Sequence, residues 1–221
     1  MKVIFNQSSL VFAQAAPLEV TISSVAGDPL GKVVSFATNA ENATIYYTTD
    51  GSTPTTSSAQ YVEPFTIYYT KTIKVLAVAG SSSATATQEV TVDSTVIFDG
   101  SLTGGPNDGS GTPTALSDTV SISVGTTLVY LINAFSYDGS NPARGKSIVL
   151  CKSDGSGAAK TGIASGAGEA GSYWNTLPKP IVYVKDNIST AYAVTGIKYY
   201  AESQVGNTTI NVTVVKFAPA S

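Results

Sequence analysis

Short runs in which apolar and polar residues take turns cover most of the chain. Leu18, Val20 and Ile22 fall on one side of a two-residue period, and Glu19, Thr21 and Ser23 on the other. Such alternation predicts a half-buried strand, because successive side chains of a strand point to opposite faces. Residues 33–37, 43–48, 72–78 and 86–92 repeat the pattern, with Ile73, Val75, Ala77 and Ala79 the clearest set. Turn residues punctuate them at Gly27-Asp28-Pro29 and Asp50-Gly51-Ser52. Short strands at regular spacing predict a small antiparallel sandwich over residues 18–93.

Residues 99–113 interrupt this pattern. Five glycines and two prolines, with almost nothing to offer a core, mark residues 94–114 as a linker or long surface loop. Alternation returns at 119–124, and residues 128–132 (Leu-Val-Tyr-Leu-Ile) form a nearly continuous apolar run expected of a central strand. Residues 147–151, 181–184, 191–200 and 208–217 add further strands. In the last, Ile210, Val212 and Val214 alternate with Thr209, Asn211 and Thr213, and Gly206-Asn207 just before it reads as a two-residue hairpin turn. About eight strands in about 100 residues predict a jelly-roll-like sandwich over 115–221. A short helical turn is conceivable only near 168–175. The expected class is all-β: an N-terminal arm (1–17), an Ig-like β-sandwich (18–93), a Gly/Pro-rich linker (94–114) and a jelly-roll-like β-sandwich (115–221).

Ahead of Pro17, Val3-Ile4-Phe5 and Leu10-Val11-Phe12 are two short apolar strands separated by Asn6-Gln7-Ser8-Ser9. The polar break spoils the continuous apolar stretch of a secretory leader, so the segment is read as a retained docking arm. It cannot bury itself and is expected to pack on the first domain or on a neighbouring subunit.

Charge and residue content narrow the function. Only 12% of residues are charged, the net charge is −3, and Arg144 is the single arginine. A nucleic-acid partner would leave a basic stripe, and none is visible. No segment reaches the roughly 20 apolar residues of a membrane-spanning helix. Histidine is absent, which removes the commonest general base and the commonest transition-metal ligand. The lone cysteine, Cys151, reads as a buried strand thiol. Asp-Gly-Ser occurs at 50, 99, 108, 138 and 154, and is read as turn chemistry. No convergent acid–base set is seen, so no catalytic residue, cofactor or metal site is expected. Exposed aromatic rings are the best candidates for contact with a glycan or a partner, since their flat apolar faces match the C–H faces of sugars. Tyr137, Tyr173 and Trp174 are the candidates, with a core role for Trp174 left open. The doublets Tyr68-Tyr69 and Tyr199-Tyr200 should each expose one ring.

Residues 45–54, Ile-Tyr-Tyr-Thr-Thr-Asp-Gly-Ser-Thr-Pro, followed by Tyr61, Pro64 and Thr72-Ile73-Lys74-Val75-Leu76-Ala77, resemble the signature of the chitobiase/β-hexosaminidase C-terminal-type Ig-like repeat. Val75 stands where that family often has alanine. The resemblance covers residues 18–93 and implies an Ig-like sandwich with no catalytic residue. Taken whole, the chain is similar to virion proteins of bacteriophages infecting gut Bacteroides, including the crAss-like group. That resemblance implies a decoration (auxiliary capsid) or head-fibre protein on the capsid surface. It would be multicopy or homo-oligomeric, dock on the major capsid protein or another virion protein, and contact host surface glycans. The alternative expectation is a secreted bacterial carbohydrate-binding or adhesion module at the cell surface.

Overall fold

The structure, a computed structural model, describes residues 16–27, 30–104, 112–137, 144–162, 180–186, 188–202 and 208–219. All regular structure among them is β, in four antiparallel sheets. The chain divides into two compact units. Unit 1 runs to Ile67 and takes up Lys71–Val90, and unit 2 holds Tyr68–Thr70 and the chain from Thr91 on.

Unit 1 contains β1 (Val20–Ala26), β2 (Lys32–Thr38), β3 (Thr44–Thr48), β4 (Ala59–Gln60), β5 (Phe65–Ile67), β6 (Lys71–Ala79) and β7 (Ser82–Val90). They form a three-stranded sheet, β1-β2-β5, and a four-stranded sheet, β4-β3-β6-β7. Three strands against four is the wiring of an Ig-like sandwich. The alternation of β6 places Ile73, Val75 and Ala77 fully inside, and Val34, Phe36 and Ile67 come from the other sheet. Aromatic rings join the two layers. Phe36 packs against Tyr47 and Tyr61, and Tyr47 stacks on Phe65 with centroids 4.9 Å apart and planes 18° apart. Tyr47 thus turns inward, and its neighbour Tyr46 points to the opposite face.

Unit 2 contains β8 (Thr95–Gly104), β9 (Thr114–Ile122), β10 (Thr127–Tyr137), β11 (Arg144–Cys151), β12 (Gly157–Gly162), β13 (Ile181–Lys185), β14 (Tyr192–Glu202) and β15 (Thr208–Phe217). One sheet runs β13-β10-β15-β8 and the other β12-β11-β14-β9. Counted within the unit, the first sheet joins the sixth, third, eighth and first strands, and the second the fifth, fourth, seventh and second. Eight strands in two sheets, wired this way, make a jelly roll. One core lies between the sheets. Leu128, Tyr130, Ile132, Ile210, Val212 and Val214 meet Ile148, Leu150, Val194, Ile197 and Tyr199 there. Each fully buried side chain of this size contributes about 1.5–3 kcal/mol.

Three expectations are corrected. Residues 95–104, assigned to the linker, form β8, which pairs with β15 along its length. A bulge hides the strand in the sequence. The register shifts between Val214 and Val215, leaving Ile97 as an extra residue that also enters the core. From there Phe98, Gly100 and Leu102 share the inner face, with Gly100 beside the Phe98 ring. Asp99-Gly100-Ser101 is therefore strand, not turn. The third correction concerns the last hairpin: β14 and β15 lie in opposite sheets and do not pair. Residues 203–207, and the helical turn conceived near 168–175, lie outside the described residues.

Candidate functional site

Strand β11 runs along a concavity of unit 2. Its residues Ile148 and Leu150 face the core, so Ser147, Val149 and Cys151 occupy the outer face. The register sets their neighbours. Tyr200 of β14 lies opposite Ser147, Lys198 opposite Val149 and Gly196 opposite Cys151. On the other side Gly157 of β12 lies opposite Cys151, next to a bulge at Leu150/Cys151. A hollow of about 340 Å³ opens here, lined among the described residues by Val149, Gly157, Ala158 and Tyr200.

Each lining residue has a local reason. Tyr199 and Tyr200 are adjacent on a strand, so they must diverge. Tyr199 is 6% exposed in the core, while Tyr200 stays half-exposed on the outer face. Gly157 keeps the hollow open, because a Cβ there would lie 2.9 Å from Cγ1 of Val149. Gly157 is itself exposed and starts β12, the outermost strand of its sheet among the described residues.

The electrostatics offer no reactive pair. Cys151 is fully buried, its Sγ donates to the Val149 carbonyl at 3.6 Å, and burial pushes the thiol up from its ordinary value. A thiol so placed is protonated and inert. Burial also pushes the Tyr199 phenol well above the ordinary tyrosine range, and the neighbouring Tyr183 adds to the effect. Two Asp-Gly-Ser turns hold their own carboxylates. Asp50 accepts from the Ser52 hydroxyl at 2.6 Å and the Ser52 N–H at 3.0 Å, and Asp154 accepts from Ser156 at 2.6 and 2.9 Å. The hydroxyl bond is the leading cause that holds each carboxyl below the usual aspartate range. Gly51 and Gly155 complete the turns with φ near +78° and +79°. Among the described residues no three His, Cys, Asp or Glu side chains gather as metal ligands would.

A second polar arrangement crosses the outer face of the other sheet. Asn133 Nδ2 donates to Asn211 Oδ1 at 3.2 Å and to Thr213 Oγ1 at 2.9 Å. Thr213 Oγ1 donates to Asp99 Oδ1 at 2.9 Å. This ladder ties β10, β15 and β8 together and accounts for the burial of Thr213.

Of the residues expected to make contacts, Tyr137 ends β10 opposite Thr208, and its side chain is not among those described. Tyr173 and Trp174 lie outside the described residues, as do Val3, Ile4, Phe5, Leu10, Val11 and Phe12 of the arm. The structure instead brings Tyr200 together with Val149 and Gly157. The tyrosine doublet was the available signal for Tyr200. Nothing local in the sequence pointed to Gly157 or Val149.

Comparison with known proteins places only unit 1. No curated protein matches the chain. Residues 26–89, from the end of β1 almost to the end of β7, match the family model of the chitobiase/β-hexosaminidase C-terminal domain, a non-catalytic Ig-like domain of glycosidases.

Proposed function

We propose that this protein is a bacteriophage virion structural protein, a decoration (auxiliary capsid) or head-fibre protein on the capsid surface. It is present in many copies, docks on the major capsid protein or another virion protein, and lends weak adhesion to host glycans. The observation that supports the reading is how four ionisable groups of the described residues are engaged. Asp50 and Asp154 are taken up by their own turns and Asp99 by a sheet ladder, and Cys151 is buried. Among the described residues, that leaves the surfaces of the two sandwiches and the hollow beside Tyr200 to support an interaction role. Many copies would turn weak contacts into avidity. Mass spectrometry of purified virions tests this. The chain should be found at a stoichiometry comparable to the major capsid protein, and its absence from the particles would refute the assignment.

The family match favours a second reading, a secreted bacterial carbohydrate-binding or adhesion module. N-terminal sequencing separates the two. An intact Met1 in the mature protein supports the virion reading, and a mature terminus at Ala15 or Ala16 supports secretion.

A further inference from the structure

We propose that β7 is the edge through which two copies of this chain pair into one continuous sheet, an inference that rests on the multicopy part of the proposed function and gives it an interface. Among the described residues β7 ends the sheet β4-β3-β6-β7, and no strand pairs with its far side. Such edges are ordinarily blunted by bulges, lysine, proline or brevity. Among the described end strands, β8, β9 and β12 have an interrupted register, and β4, β5 and β13 run to five residues or fewer. Only β1 and β7 are longer and unbroken, and β7 is the longer, nine residues against seven. Its sequence holds no lysine or proline and one charge, Glu89. Its inner side is open as well. Ala84 and Ala86 face inward beside their partners Ala77 and Val75, yet both are half-exposed where those two are fully buried.

The turn decides which peptide groups point out. Two residues, Gly80-Ser81, join β6 to β7, with Gly80 at φ +59°. Such a turn makes its flanking residues, Ala79 and Ser82, a hydrogen-bonded pair, and bonded and open pairs then alternate along the ladder. Ala84, Ala86 and Gln88 therefore bond to β6, and Ser83, Thr85, Thr87 and Glu89 turn their N–H and C=O groups to the free side. A twofold axis through Ala86 sets Ser83 opposite Glu89, and Thr85 opposite Thr87, of the second copy. Every outward group then meets an outward group, and the exposed side chains of both copies share one face. The one charge faces a serine, so no like charges meet, and threonine opposite threonine stabilises neighbouring strands. An axis one residue away leaves Ser83 or Glu89 unpaired, so this register is the self-complementary one.

Sedimentation of the full chain up to about 1 mM, the effective concentration that tethering to one particle supplies, should show a monomer–dimer equilibrium. Thr87→Pro removes an N–H that the β6 ladder does not use, so the variant should keep its far-UV CD spectrum and melting temperature and stay monomeric. Charge then reads the register. Ser83→Lys places a cation opposite Glu89 of the second copy, and Ser83→Glu places a like charge there. With two such pairs in each dimer, the first should tighten and the second weaken dimerisation by about 2- to 30-fold. Ser83 is exposed, so both variants should fold. A monomer at every concentration, a dimer that survives Thr87→Pro, or equal responses to Ser83→Lys and Ser83→Glu would overturn the interface. So would a monomeric wild type whose Thr87→Pro variant no longer joins particles, since the edge would then take a strand of another virion protein. None of these results touches the virion reading, which stands or falls on whether particles contain the chain.

Discussion

The phenol of Tyr199 gives the sharpest test of how unit 2 is packed. It lies in the core between the sheets at 6% exposure, and its hydroxyl has no hydrogen-bond partner among the described residues. Burial holds the proton on, so the folded-state pKa sits well above the ordinary value. Below about pH 10 both folded and unfolded chains keep the proton, and Tyr199 makes stability no more pH-dependent than phenylalanine would. Above it the unfolded chain releases the proton while the folded chain does not, so stability falls as pH rises. At about pH 11, one unit above the ordinary tyrosine value, that linkage amounts to about 1.4 kcal/mol. Tyr199→Phe removes it. The variant also removes a buried hydroxyl whose desolvation costs about 1–3 kcal/mol, against a small loss of packing, so at neutral pH it should be neutral or stabilising. Urea unfolding of both proteins at about pH 8 and about pH 11 measures the two effects. Tyr47, Tyr68 and Tyr192 are also pushed up by burial, but they are common to both proteins and cancel in the difference. Equal loss of stability with pH in the two proteins would mean that the ring ionises freely. Destabilisation by more than about 1 kcal/mol at pH 8 would mean that the hydroxyl has a partner.

Leu150→Ala, at a fully buried core position of β11, should cost about 2–5 kcal/mol by urea unfolding. Cys151 should resist a thiol reagent in the native protein and react only as unit 2 unfolds, because it has no exposed surface and its thiol is held protonated. Asp50 and Asp154 should titrate by NMR below the usual aspartate value of about 3.9, and Ser52→Ala and Ser156→Ala should return them toward it. With folded pKa values depressed, the contribution of these turns is fully present above the unfolded value and is lost as pH falls through the folded one.

What the sequence could reveal was set by how local each cause was. The faces of β6 and β15 were legible, because an unbroken two-residue period leaves only one way to bury Ile73, Val75 and Ala77, or Ile210, Val212 and Val214. The five Asp-Gly-Ser sequences were all read as turns, yet 50–52 and 154–156 are turns while 99–101 lies mid-strand. The tripeptide permits a turn, but the pairing of β8 with β15 overrides it. Strand β8 escapes the sequence reading because its bulge resets the alternation and Gly100 and Gly104 carry no side chain to mark a face. Strands β4 and β5, of two and three residues, are too short to carry a period.

Pairing partners were the least legible feature, and the candidate site depends on them entirely. Consecutive strands β14 and β15 look like a hairpin in sequence but go to opposite sheets, which leaves β14 free to lie beside β11. Only that placement puts Tyr200, paired with Ser147, and Gly157, paired with Cys151, on the two strands that flank β11. The doublet Tyr199-Tyr200 shows from alternation alone that one ring must leave the core, yet not what the other ring will meet. A surface assembled by sheet registry has no linear motif. Its residues are individually ordinary, a tyrosine, a valine and a glycine, and their meaning lies in the strand order. The same wiring makes the site testable from two sides, since Tyr200 and Gly157 reach it from different strands and can be altered independently.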